Sequence, residues 1–135
     1  MIGIDTNVLV RYLTQDDAKQ AALATRFIEI DLSPTQQGFI STVVLVELCW
    51  VLQSLYRVSA TELLDMADDL LMSRNLQLEH RSAVQAALQM LRAYPGAAVG
   101  LGDALIAHIG QAQGCSHTVS FDKGAVRWAG MQLLV

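Results

Sequence analysis

Four acidic residues stand where acids are uncommon. Asp5 interrupts the apolar opening of MIGIDTNVLV, and Glu47 is the only charged residue between Val43 and Leu52. Asp103 lies near the start of GLGDALIAHIG, and Asp122 follows the strand-like HTVS in SFDKG. Each has an ordinary explanation taken singly. Asp5 suits a helix N-cap, Asp103 a first helical turn, and Asp122 an Asx turn. Glu47 could be a paired core glutamate or part of an exposed stripe. Their conjunction points elsewhere. Four carboxylates converging on one pocket repel one another and raise each other's pKa, and a hard divalent cation relieves that. Mg²⁺ and Mn²⁺ favour carboxylate oxygen and water. The matching chemistry is metal-assisted phosphodiester hydrolysis, in which one metal activates water and a second, ~4 Å away, steadies the leaving oxygen. Ser120, two residues before Asp122, could donate to a nearby ligand or be an ordinary strand residue. His80, His108 and His117 are scattered, read as structural, and form no zinc cluster with the cysteines.

These residues must be positioned by the elements around them. Residues 1–4 read as a short buried strand, and Asp5-Thr6-Asn7 offer caps to a helix running through about Leu13. A second helix runs from Gln15 to about Asp31, with Leu23, Phe27 and Ile30 on one face, until Ser33-Pro34 breaks it. Gly38-Phe39-Ile40 is a strand. Ser41-Thr42 cap a long apolar helix to about Tyr56. A helix this apolar is expected to pack nearly all round, so Glu47 should face a cleft, an arginine or a metal. Ser59 caps the next helix, wet along Glu62, Asp65, Asp68 and Asp69 and dry along Leu63, Met66, Ala67 and Leu70. Leu76 to Leu78 is a strand. Ser82 to about Tyr94 is a helix ended by Pro95-Gly96. Gly102 to about Gln113 is another, with Asp103 sharing an inward face with Ile106 and Ala107. His117 to Ser120 is a strand, and Gln132 to Val135 a final edge strand. Such alternation means an α/β fold with a mostly parallel sheet. Ligands gather beyond the carboxyl ends of such strands, the edge where Asp5, Ser41 and Asp122 fall.

The chain has 135 residues, which predicts a single domain over 1–135. It is 53% hydrophobic and only 16% charged, leaving apolar surface to spare for a subunit interface. Leu63, Leu64, Met66, Leu70, Leu71 and Met72 exceed what one buried helix face needs. Cys49 and Cys115 read as reduced core thiols. There is no basic stretch at the N-terminus, and Asp5 falls where a signal peptide would be apolar. FISTVVLVELCWVL is too short to span a bilayer and carries Glu47 at its centre. The expected location is therefore the cytoplasm, with no membrane partner.

IDTNVLVRYL, ISTVVLVELCWVL, GDALIA and HTVSFDK, in this order and spacing, resemble the PIN-domain ribonucleases across essentially the whole chain. Within them the sequence resembles the VapC-type toxins of bacterial type II toxin–antitoxin modules. The resemblance implies a PIN-like three-layer α/β/α fold with a four- to five-stranded, mostly parallel sheet. It carries the family's acidic quartet onto Asp5, Glu47, Asp103 and Asp122, as catalytic residues and metal ligands, and its hydroxyl and amide neighbours onto Thr6, Asn7 and Ser120. It implies an endoribonuclease needing Mg²⁺ or Mn²⁺, products with a 5′-phosphate and a 3′-hydroxyl, a homodimer, and inhibition by a small cognate antitoxin. The helices from Ser41 to Met72 would contribute the dimer surface, an antitoxin groove, or both. One departure stands out: many relatives have an acid three residues before the aspartate of GDALIA, where this chain has Gly100, and the second metal could bind weakly here. The net charge of −4 lacks a nucleic-acid binder's basic footprint. Arg11, Lys19, Arg57, Lys123 and Arg127 could still border an RNA path, with Arg11 and Lys123 the candidate RNA contacts and Lys123 the better placed. Weak non-specific attraction suits a nuclease that reads one RNA loop.

Two other readings compete with this one. A haloacid dehalogenase-type enzyme needs a second aspartate where this chain has Asn7, and a cap domain the chain has no room for. A catalytically idle PIN-like module that binds RNA or a protein partner is the alternative of a different class.

Overall fold

The computed structural model describes residues 1–97 and 99–135. Their contacts divide the chain into two units, Met1–Glu79 and His80–Val135, each considered by itself.

The first unit is built on three parallel strands, β1 (Ile2–Gly3), β2 (Gly38–Ile40) and β3 (Leu76–Leu78), in the order β1-β2-β3. Parallel neighbours need long crossovers, and helices supply them. Helices α1 (Thr6–Thr14) and α2 (Ala18–Arg26) join β1 to β2, while α3 (Thr42–Tyr56) and α4 (Ala60–Met72) join β2 to β3. Alternation along β3 turns Leu76 and Leu78 inward and Gln77 outward. Ile4, Leu9, Ile40, Leu45, Leu48 and Leu78 form the heart of the core. Gly38 is fixed by packing, because a Cβ there would run into the Ile4 and Leu32 side chains.

Caps set the boundaries. Asp5 caps α1, Asp17 accepts from the Gln20 N–H at the start of α2, and Ser41 accepts from the Val44 N–H at the start of α3. Ser59 and Glu62 form a reciprocal capping box on α4. Asp17 is the better cap available after Gln15, so α2 starts at Ala18 rather than Gln15, and its end widens into a π-helical turn, Phe27–Asp31.

Several expected faces are differently placed. β1 lies at a sheet edge, and Ile2 is exposed while Ile4, just beyond the strand, is buried. Leu23 and Ile30 share an exposed face. Most notably, α3 is not packed all round. Leu45, Leu48, Cys49 and Leu52 are buried, but Val43 is 75% exposed and Trp50 63%. Glu47 is exposed on that same side, at helical spacing from Val43 and Trp50.

In the second unit, α5 (Arg81–Ala93) packs on α6 (Leu101–Ala112) through small side chains. Ala83, Val84, Ala87 and Leu88 face in from α5, and Ala104 and Leu105 from α6. Ile106 is 56% exposed and Ala107 half-buried, so the inward pair, Ala104 and Leu105, lies two residues earlier than expected. A parallel pair, β4 (Val119–Ser120) and β5 (Gln132–Leu133), is joined by α7 (Lys123–Trp128). The sequence reading had an Asx turn at Asp122 and no helix there. Cys49 is buried, and burial pushes its thiol up to about 11. Cys115 is exposed, not a core thiol. Among the described residues, five parallel strands are present, three in one sheet and two in the other. No described helix is long and apolar enough to cross a membrane.

Candidate functional site

Parallel strands end where Asp5, Ser41 and Asp122 begin, and in each case the side chain satisfies a helix N-terminus. Asp5 is exposed, with extended backbone, and its Oδ1 accepts from the Thr6 N–H at 2.8 Å. Thr6 is buried, at 5% exposure, and Asn7 is exposed beside it. The sequence reading missed Glu79, which follows β3 directly: its Oε1 accepts from the Thr42 N–H at 2.9 Å. The signal was the acid after the strand LQL, the same cue that singled out Asp5. Beside this contact the buried Thr42 Oγ1 has no hydrogen-bond partner among the described residues. Such an orphan costs free energy unless something meets it.

Asn7 also lines a cleft of about 350 Å³ with Val8, Arg11, Gln20, Leu23 and Phe27. Arg11 is tied down there. Its Nη1 donates to both Asp16 carboxylate oxygens at 2.9 Å, and its Nε donates to Gln20 at 2.8 Å. Tyr56 donates its hydroxyl to Asp16 at 2.5 Å. That hydrogen bond, ahead of the one from Arg11, lowers the Asp16 carboxyl to about 2. Asp16 in turn holds Arg11 above its ordinary value.

In the second unit Asp122 is held more firmly. Its Oδ1 accepts from the Gly124 N–H at 2.7 Å and the Ala125 N–H at 3.1 Å. The Ser120 hydroxyl oxygen accepts from the Asp122 N–H at 3.0 Å, so it positions the acid, and its own proton is left to donate. Lys123 is exposed as the first residue of α7. Asp103 is half-buried in the first turn of α6, where the dipole favours its charge. Gly100 is the N-cap of that helix and offers no side chain to it. Its φ is −96°, and an added Cβ would meet nothing within 4 Å. Nothing in the backbone demands glycine there.

The structure thus gathers Asp5, Thr6 and Asn7 on one turn, and Ser120, Asp122 and Lys123 on another. Glu47 and Asp103 have no hydrogen-bond or ion-pair partner among the described residues. No group of three or more His, Cys, Asp or Glu side chains there is close enough together to hold a metal ion. The donors are nonetheless carboxylates without competing imidazole or thiolate, the set that suits a hard cation, and Mg²⁺ commonly takes only one or two carboxylates beside water and substrate phosphate. Charge is divided unevenly. The first unit has five Lys and Arg against eleven Asp and Glu, a net −6, and the second has four against two, a net +2.

The PIN domain family matches residues 2–130. This chain belongs to the PIN domain family. The match spans nearly the whole sequence and includes all four acids. PIN domains are generally nucleases, which places this one coarsely among hydrolases of a kind that typically use divalent metals. Neither a curated protein nor a solved structure matches the chain.

Proposed function

We propose that this PIN domain is an endoribonuclease dependent on Mg²⁺ or Mn²⁺, and the toxin of a type II toxin–antitoxin pair. The observation that carries the reading is the family match over residues 2–130 in a chain that keeps an acid at Asp5, Glu47, Asp103 and Asp122. Asp5, Glu47, Asp103 and Asp122 are the carboxylates that would serve as metal ligands. A bound ion supplies charge neutralisation at the phosphate and an acidified water. The chain's own groups do the positioning. Helix N–H groups fix one oxygen of Asp5 and one of Asp122, and the other oxygen of each remains to act as a ligand. Ser120 holds the Asp122 backbone, and Lys123 supplies a point charge for a phosphate. Arg11, bound to Asp16 and Gln20, steadies α1 against α2.

The partners in this reading are an RNA, a second copy of the chain and a small antitoxin, in the cytoplasm. The exposed apolar side of α3 and Met72 are the surfaces such contacts would cover. The absence of a preformed three-acid group among the described residues favours a second reading, an idle module that binds RNA or protein. Induced expression separates the two. The toxin reading expects growth arrest by the wild type, none by Asp5→Asn, a short open reading frame beside the gene, and rescue by its product. Arrest that persists in Asp5→Asn contradicts the nuclease, and no arrest by folded wild-type protein favours the idle module.

A further inference from the structure

Tyr94, Trp128 and Arg127 meet in the second unit, outside the acidic residues. The Tyr94 and Trp128 ring centroids lie 5.7 Å apart at a 48° tilt, and the Arg127 Cζ sits 4.8 Å from the Trp128 ring. The unit's buried core, aliphatic side chains from α5, α6 and α7 together with Met131, does not include them. Tyr94 is 52% exposed, Trp128 is half-buried, and Arg127 is exposed. Aromatic pairing alone would pin the turn after α5 without leaving a tyrosine half in water or setting a cation on the indole. Phe121, directly before Asp122, is 75% exposed. All of this lies in the unit of net +2, in a chain of net −4.

We propose that Tyr94, Trp128 and Arg127 form a stacking platform for unpaired bases of RNA, a role that rests on the ribonuclease reading. Unpaired bases in loops are held by stacking on aromatic rings and on arginine planes. Every base has a π-face, so such a platform binds with little regard to sequence and needs no strong phosphate attraction. That is how a chain with few cations can hold RNA at all. Phe121 and Lys123, both exposed, flank Asp122 in the same unit and offer a ring for a base and an ammonium for a phosphate. The platform holds unpaired nucleotides and leaves paired stems without a partner, because their bases are already stacked.

The test uses fluorescence. The chain has two tryptophans, and Trp50→Phe leaves Trp128 as the sole reporter. A short 2′-O-methyl RNA oligonucleotide, which resists cleavage, is titrated into the full chain in EDTA. Saturable quenching is expected for the single strand and not for the same strand in a duplex. Tyr94→Ala and Arg127→Gln should each weaken it about fivefold or more, from the usual worth of one stacked base. Tyr94→Phe should keep it, and Arg127→Lys should recover only part of it. Arg127 is exposed, so its variants keep the test valid even where Tyr94→Ala fails to fold. No saturable quenching, or equal affinity across the folded variants, overturns the platform. The measurement needs neither metal nor cleavage. Quenching that survives in a protein unable to cut RNA therefore sinks the nuclease reading alone, and cutting without quenching sinks the platform alone.

Discussion

Asp5 in the first unit and Asp122 in the second both follow a parallel strand and cap the next helix, but they are supported unequally. Asp5 takes one N–H, from its immediate neighbour, and its helix α1 buries Leu9 and Val10. Asp122 takes two N–H groups and leans on Ser120, and its six-residue helix buries only Ala125. Where a helix has a large apolar face, packing holds it and the acid is a spare cap. Where the helix is short, the cap must do more of the holding. The same unit that depends on its cap carries the positive charge and the exposed aromatic rings, while the strongly acidic unit is held by its leucines.

Activity should be the most sensitive reporter of what the two acids share. Asp5→Asn and Asp122→Asn should each lower RNA cleavage by at least about a hundredfold, since loss of even an outer partner of a metal typically costs 10–100-fold. Rates measured at saturating Mn²⁺ check this, and a mutant that cuts normally removes its acid from the site. Stability should separate them. Asp122→Ala should cost about 1 kcal/mol, the typical cost of a lost cap, and Asp5→Ala clearly less. Equal shifts in urea midpoint would break the comparison.

A smaller effect concerns the Arg11–Asp16–Tyr56 cluster of the first unit. Asp16 is lowered from the ordinary 3.8 to about 2, so its contribution to stability is complete above the ordinary value and lost as pH falls through about 2. Tyr56→Phe removes the first cause and should move the Asp16 midpoint upward in a carbon-detected NMR titration. An unmoved midpoint would leave Arg11 as the sole cause. A change of the opposite sign is expected at Arg57, the αL residue that ends α3 with φ 54°. Arg57→Gly should stabilise by roughly 1 kcal/mol, the cost of αL for a residue with a side chain. Thermal denaturation checks the sign.

Much of this was legible in the chain because local signals agree. Ser59 with Glu62, Ser41 after GFI, and Leu-Gln-Leu at 76–78 each combine a cap or an alternation with an apolar run, and the elements fall there. The PIN resemblance likewise followed from four separate motifs in order. What escaped was decided by tertiary context. The apolar composition of α3 does not say which side is covered, so the helix was expected to pack nearly all round with Glu47 facing a cleft, an arginine or a metal, whereas Glu47 lies on an exposed stripe with Val43 and Trp50. KGAVRW is too short to show a helical period and holds a glycine, so α7 was hidden behind its cap. Glu79 follows a strand as Asp5 does, but its contact with the N-terminus of α3 depends on the parallel register, which the linear sequence does not show. The Tyr94–Trp128 pair, 34 residues apart in sequence, leaves no mark on a linear reading.

The central claim is that the four acids serve metal-dependent cutting of RNA. Its most direct test is incubation of antitoxin-free protein with labelled total tRNA and a panel of structured RNAs, with Mg²⁺, Mn²⁺ and EDTA in parallel and Asp5→Asn as control. Discrete cuts leaving a 5′-phosphate, present with metal and absent in EDTA and in the mutant, are predicted. Cuts that persist in EDTA or in Asp5→Asn, or intact RNA with every metal from folded wild-type protein, would contradict it.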